Sequence, residues 1–145
     1  MEAQQERERG PRPRVLVADD EPQTRAIVTA ILEGLGCRVD AVGNGAEAVE
    51  AAGRERYDLI FMDGVMPVLD GLEATRRIRR AEGNGRRVPV VGITGNTRQF
   101  TERACREAGM DGYLRKPVGR KDYAQAVARW APSPEGRPPS ADARA

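Results

Sequence analysis

Four short strand-like segments in this chain, three of them continuously apolar, each end in a group that can do chemistry. Leu59-Ile60-Phe61-Met62 ends in Asp63, and Val15-Leu16-Val17-Ala18 ends in Asp19-Asp20-Glu21. Val90-Val91-Gly92-Ile93 ends in Thr94, and Tyr113-Leu114-Arg115 ends in Lys116-Pro117. Runs of this length and character read as buried strands. In an open sheet of parallel strands the carboxyl ends face one crevice, so these groups would meet there.

Asp19, Asp20 and Asp63 would then repel one another. Without compensation at least one would hold a proton. A hard divalent cation resolves the conflict. Mg²⁺ accepts a few carboxylates, keeps several waters and leaves positions for a phosphate. A carboxylate beside it can attack a phosphoryl group and become an aspartyl phosphate. The transferring oxygens need positive charge and donors. Lys116 supplies a point charge, Thr94 a hydroxyl, and the loop amides after residues 63 and 94 further donors.

Taken singly, each group has a simpler reading. Asp20 can cap a helix after Pro22, Asp63 can sit in a turn, Lys116-Pro117 can be surface, and Thr94 can bond to backbone. The weight comes from all of them falling at strand ends on one edge.

The elements that must position them alternate along the chain. The first strand is Arg14–Ala18, and a helix after Pro22 places Ile27, Ile31 and Leu35 on its inner face until Gly34 and Gly36 stop it. A second strand covers Cys37–Val42. Asn44 then caps a helix, with Glu47 at the capping-box position and Val49 and Ala52 inward. Asp58–Met62 is the third strand, and Gly71–Ala81 is a helix with Ala74, Ile78 and Ala81 inward. After the turn Gly83-Asn84-Gly85 come a fourth strand, Val88–Ile93, and a helix marked by Phe100, Ala104 and Ala108 that Gly109 ends. Gly112–Arg115 is a brief fifth strand. Gly119–Ala131 is a last helix with Tyr123, Val127 and Trp130 on one face. This alternation predicts an α/β fold, a doubly wound parallel sheet with helices on both faces. The continuously apolar first, third and fourth strands should be central. The more polar second and fifth should be edges.

The chain has 145 residues, enough for one domain with its own core. Aromatics are only 4%, so aliphatic side chains must fill that core. The net charge of +2 does not argue for nucleic acid. Arg76, Arg77, Arg79 and Arg80 read as a solvated helix face. With no histidine in the sequence, a His-based triad, a His metal site and a phosphohistidine on this chain are excluded. Cys37 and Cys105 are read as reduced, buried residues. No apolar run approaches the ~20 residues of a membrane span, so a soluble, cytoplasmic protein is expected. Residues 1–13 read as a flexible lead and residues 132–145 as a disordered Pro/Ser/Ala-rich tail.

Over residues 14–131 the chain resembles the receiver domain of two-component response regulators. The motifs that carry the resemblance are Asp19-Asp20, Asp63 followed by Met66-Pro67 and Asp70-Gly71, Thr94, and Tyr113 followed by Lys116-Pro117. The stretches Met62–Arg80 and Ala108–Val118 look most like receivers attached to, or working with, hybrid sensor kinases. The resemblance implies a flavodoxin-like (βα)5 fold with strand order 2-1-3-4-5. It implies that Asp63 is the phosphoacceptor, that Asp20 and Asp63 bind Mg²⁺ directly, and that Asp19 does so through water. The Val65 backbone carbonyl would complete the protein ligands. Lys116 would contact the phosphoryl group across a cis Lys116-Pro117 bond, and Thr94 and Tyr113 would form the switch pair. The donor would be a sensor histidine kinase or a histidine phosphotransfer protein, and the effector is not identified. A homodimer formed on phosphorylation stays open.

Val65 is apolar where some receivers carry a polar side chain that helps place the hydrolytic water. Self-dephosphorylation is therefore expected to be moderate to slow, with Asn96 able to assist. Gly64 and Gly95 either let backbone approach the phosphate or loosen the loops. Three functional readings follow. The first is a receiver that phosphorylates itself and turns over no external substrate, either stand-alone (favoured by Met1 and the tail), a relay intermediate, or part of a hybrid histidine kinase. The second is an Asp-nucleophile phosphohydrolase, which Val65 disfavours because such enzymes usually carry an acid there. The third is a degenerate receiver, against which Asp63, Asp20, Thr94 and Lys116 argue.

Overall fold

A computed structural model of the chain describes residues 12–95 and 100–132. The strands are β1 (Arg14–Ala18), β2 (Arg38–Val42), β3 (Leu59–Asp63), β4 (Val90–Thr94) and β5 (Gly112–Arg115). The helices are α1 (Pro22–Gly34), α2 (Gly45–Arg54), α3 (Gly71–Glu82), α4 (Glu102–Ala108) and α5 (Arg120–Trp130). All strands are parallel and lie in the order β2-β1-β3-β4-β5, so the expected doubly wound sheet is what forms.

Successive strand residues point to opposite faces, so each central strand feeds two cores. Leu16, Ala18, Ile60, Met62 and Val90 pack under α2, α3 and α4, against Ala48, Ala51, Ala74, Ile78 and Cys105. Val15, Val17, Leu59, Phe61, Val91 and Ile93 pack under α1 and α5, against Val28, Leu32, Tyr123 and Ala126. Phe61 meets Tyr123 edge to face, with ring centroids 5.2 Å apart. Cys37 and Cys105 are free and lie in different cores, on opposite faces of the sheet. Burial pushes the Cys37 thiol up to about 11, which keeps it unreactive.

Several helix faces differ from the sequence expectation. In α1 the buried residues are Val28 and Leu32, with Ile31 and Leu35 flanking, while Ile27 is 61% exposed. The apolar stripe of this helix is broad, and its centre is one residue further round than Ile27-Ile31-Leu35 suggests. In α2, Ala48 and Ala51 are buried and Val49 and Ala52 pack at the rim, because the small residues allow α2 to lie close to β1. In α3, Ala74 and Ile78 are buried as expected, but Ala81 is exposed in the last turn, where the helix has left the sheet. Phe100 is buried but precedes α4, whose N-cap is Thr101. β3 and β4 each run one residue further toward the crevice, so Asp63 and Thr94 are the last residues of strands. Most of the expected lead and tail lies outside the described residues. The Pro13 carbonyl already accepts a hydrogen bond from the Arg38 amide, at 2.8 Å.

The arginines of α3 are not one solvated face. Arg76, Arg77 and Arg80 fan over Glu73 at the surface, at 3.2 to 3.3 Å. Arg79 is different, with a side chain only 13% exposed. Its guanidinium donates to the carbonyls of Gly109 (2.9 Å) and Val88 (2.7 Å) and to Glu82 (2.9 Å) and Asp111 (2.8 Å). Asp111 in turn accepts from the Val90 amide at 2.9 Å. One arginine thus ties α3 to the start of β4 and to the turn between α4 and β5. Removing one partner of such a half-dry network leaves the others unpaired. Arg79→Ala is expected to cost about 3 kcal/mol or more in urea unfolding, whereas Arg77→Ala on the surface should shift stability by about 0.5 kcal/mol or less.

Candidate functional site

The site is built around the end of β3. Asp63 is buried, and the chain leaves it in a loop that folds straight back. The Gly64 amide donates to the Ile93 carbonyl at 3.0 Å, and the Gly71 amide closes the loop onto the Gly64 carbonyl at 2.9 Å. That return is possible because position 71 has no side chain: a Cβ there would overlap the Asp63 carbonyl. A Cβ on Gly45 would likewise overlap the Leu69 carbonyl, so the first turn of α2 forms a floor for the loop. On its other side the Phe100 ring lies against Gly64, 2.8 Å from where a Cβ would stand. Gly64 therefore serves a close ring contact, a role that neither of the two sequence readings of this glycine named. Asp70 ends the loop by capping α3, accepting from the Glu73 amide at 2.8 Å.

At the tip of the loop Val68 has φ +70, and the Leu69 amide reaches back to the Pro67 carbonyl at 2.7 Å. A β-branched residue in this region is strained. The Val68 side chain is exposed to solvent, as is that of Val65.

The acidic pair arrives from β1. The Asp19 amide donates to the Val42 carbonyl at 3.1 Å, which extends the pairing of β1 with β2. Asp19 Oδ1 accepts from the Glu21 amide at 2.9 Å. Glu21, not Asp20, caps α1, accepting from the Gln23 amide at 2.7 Å. The capping reading of Asp20 is therefore wrong: Pro22 occupies the first helical turn, which moves the cap to the residue before it. Asp20 is left exposed beside the crevice. Carboxylate oxygens of Asp19, Asp20 and Asp63 all lie within 4.8 Å of one another.

Lys116 arrives from β5. Its amide donates to the Thr94 carbonyl at 2.7 Å, and the Lys116-Pro117 peptide is cis, as expected. Its Nζ stands 3.4 Å from Asp63 Oδ1 and 3.5 Å from Oδ2. The Val65 amide also points at Asp63 Oδ1, at 3.3 Å. These contacts do not fully offset burial. Burial raises the Asp63 carboxyl above its ordinary range, Lys116 opposes this, and Asp19 adds to it. Asp19 is raised too, again chiefly by burial. The donor set is hard oxygen, short of positive charge and open to solvent through Asp20, which fits a cation such as Mg²⁺.

Thr94 is buried at the end of β4, its hydroxyl 3.5 Å from the Leu114 carbonyl. Tyr113 lies on β5 opposite Gly92 in the register, half-buried. Its hydroxyl donates to Glu102 Oε1 at 3.0 Å, in the first turn of α4. Sequence reasoning placed Tyr113 but missed Glu102, since residues 11 apart in different elements carry no periodic signal. Asn96 lies outside the described residues.

A family model described as the response regulator receiver domain matches residues 15–128. The sensor protein GacS of Pseudomonas syringae pv. syringae is 40% identical over 131 residues, which span 85% of this chain and 14% of that protein. The chain therefore corresponds to a small part of such relatives. Among solved structures, the receiver domain of the sensor histidine kinase PA1611 from Pseudomonas aeruginosa PAO1 is 43% identical, with a TM-score of 0.75 over 83% of this chain and 98% of that one. That structure has a magnesium ion coordinated in its active-site cleft. The Saccharomyces cerevisiae receiver domain of Ssk1, crystallised with the histidine phosphotransfer protein Ypd1, is 31% identical, with a TM-score of 0.75 over 83% of this chain and 89% of that one.

The raised carboxyls of Asp19 and Asp63 give the site a pH signature. The stability these groups contribute is present below the unfolded carboxylate range and is lost as pH rises through their folded values. At about pH 7.5 the ionised cluster should bind Mg²⁺, and a hundredfold excess over Kd should add about 2.7 kcal/mol to unfolding. Near about pH 4 the ordinary carboxylate range is reached and most of that gain should vanish. Thermal melts with and without Mg²⁺ at the two pH values check this; an equal gain at both contradicts it.

Proposed function

The chain belongs to the response regulator receiver domain family of two-component signalling, and on that premise we propose that Asp63 is its phosphoacceptor. The observation that carries the proposal is a buried strand-end carboxylate with Asp19 and Asp20 on one side and the Lys116 ammonium on the other. A phosphoryl group passes from a histidine nitrogen on a sensor kinase or phosphotransfer protein to an Asp63 carboxylate oxygen. The N–P bond breaks as the O–P bond forms, and the histidine takes up a proton. The domain is a signalling module whose reaction is its own modification.

Each neighbouring residue has a task. Asp20 and Asp63 would hold Mg²⁺ directly, Asp19 through water, with the Val65 carbonyl completing the protein ligands. Once bound, Mg²⁺ supplies positive charge to the phosphoryl oxygens. Lys116 supplies a second charge from the β5 side. Val65 N–H donates to Asp63 Oδ1, while among the described residues Oδ2 accepts only from Lys116, at 3.5 Å. Thr94, buried at the adjacent strand end, turns its weakly held hydroxyl from the Leu114 carbonyl toward the phosphoryl. Tyr113 then leaves Glu102 and rotates inward, which changes the surface formed by α4, β5 and α5.

A second assignment of the same chemistry, the receiver segment of a hybrid histidine kinase, is supported by the sensor kinases among its relatives, of which it spans only 14% and 13%. In either setting the partners are a histidine-phosphorylated protein and a reader of the altered surface.

Incubation with Mg²⁺ and acetyl phosphate should add the mass of one phosphoryl group, and Asp63→Ala should abolish the gain. A gain that survives the substitution would overturn Asp63 as acceptor. Val65 projects an apolar, 53% exposed side chain beside the site, where it cannot orient water. Val65→Asn should shorten the phosphoryl lifetime several-fold, read by the decay of the phosphorylated mass; an unchanged lifetime counts against this role.

A further inference from the structure

The acidic cluster needs its backbone held as well as its charge balanced. Asp19 and Asp20 are joined by one peptide unit, and because that unit is planar its orientation sets where both side chains start. Its carbonyl, that of Asp19, accepts a hydrogen bond from Arg25 Nη1 at 2.9 Å. Arg25 stands on the first turns of α1, its amide bonded to the Glu21 carbonyl at 2.9 Å. The guanidinium therefore reaches back over the start of its own helix to the loop that carries the carboxylates.

The path of that side chain is shaped by β2's exit. A Cβ on Gly43 would stand 3.2 Å from Arg25 Nη1 and 3.6 Å from Glu47 Oε1. Glu47 in turn accepts from the Gly43 amide at 2.7 Å. The loop after β2 thus forms a shelf of backbone and one carboxylate along which the guanidinium lies.

We infer that Arg25 is a positioning residue, which fixes the Asp19–Asp20 peptide so that both carboxylates converge with Asp63 on one cation. The inference rests on the cation-binding reading of the cluster given above. Charge and geometry make opposite predictions here. Arg25 is a positive charge beside a cation site, so if it acted by charge alone its removal would tighten Mg²⁺ binding. If it acts by holding the peptide, its removal loosens binding, as loss of outer partners of metal ligands does by roughly 10–100-fold.

The test is Mg²⁺ titration by calorimetry of the whole chain, for wild type, Arg25→Ala and Arg25→Lys. Arg25→Ala should weaken Mg²⁺ about tenfold, the lower end of that range. Arg25→Lys keeps the charge but not the planar reach, and should also weaken it, by less. The rate of phosphorylation by acetyl phosphate should fall for both variants at low Mg²⁺ and recover at saturating Mg²⁺. Unchanged or tighter binding by Arg25→Ala overturns the inference. If Arg25→Ala does not fold, Arg25→Lys decides, and wild-type affinity in that variant overturns it. Wild-type protein that binds no Mg²⁺ would instead overturn the underlying reading of the cluster, and the inference with it.

Discussion

Three carboxylates that converge within 4.8 Å repel one another, and much of this molecule can be understood as the means of keeping them there. The parallel sheet supplies the direction, since β1 and β3 are neighbours and release their last residues into the same crevice. Burial supplies the tension. Asp63 and Asp19 both hold their protons to higher pH than free carboxyls, chiefly because the apolar strands behind them exclude water. Lys116 relieves part of this but stands half-exposed at 3.4 Å, too loosely held to neutralise the group. A site left short of positive charge is a site prepared to take up a cation.

The loops around the cluster are held by backbone contacts that side chains would prevent. Gly71 and Gly45 admit the carbonyls of Asp63 and Leu69, and Gly64 admits the Phe100 ring. These contacts fold the β3–α3 loop onto the site. Within that loop the turn at Val68 leaves an apolar side chain exposed. Thr94 and Tyr113 stand on neighbouring strands at the edge of this crevice. One has a weakly held hydroxyl, and the other has its hydroxyl on Glu102 of a short helix. Away from the crevice, Arg79 ties α3 to the C-cap of α4 at Gly109, to the residues before β4 and to Asp111 ahead of β5.

The sheet and the members of the acidic cluster were legible because both depend on strong local signals. Continuous apolar runs mark central parallel strands, and a polar residue at the end of each marks the crevice. The expected β5, Gly112–Arg115, matches the observed strand. What failed was rotation about helix axes. Ile27, Ile31 and Leu35 share a face, and so do Val28 and Leu32; only the tertiary contact decides which is the centre. Tertiary partners of long polar side chains were equally hidden. Arg79 looks like its neighbours in sequence, yet it alone of the four α3 arginines points to Asp111, 32 residues away. Arg25 and Glu102 escaped notice for the same reason.

Under the function proposed above, one carboxylate, Asp63, becomes an acyl phosphate. Reductive trapping tests this most directly on the unmodified sequence. After incubation with Mg²⁺ and acetyl phosphate, borohydride should convert the acyl phosphate to an alcohol, and peptide sequencing by mass spectrometry should find homoserine at position 63. Homoserine at Asp19, Asp20 or another acidic position, with Asp63 unchanged, would contradict it.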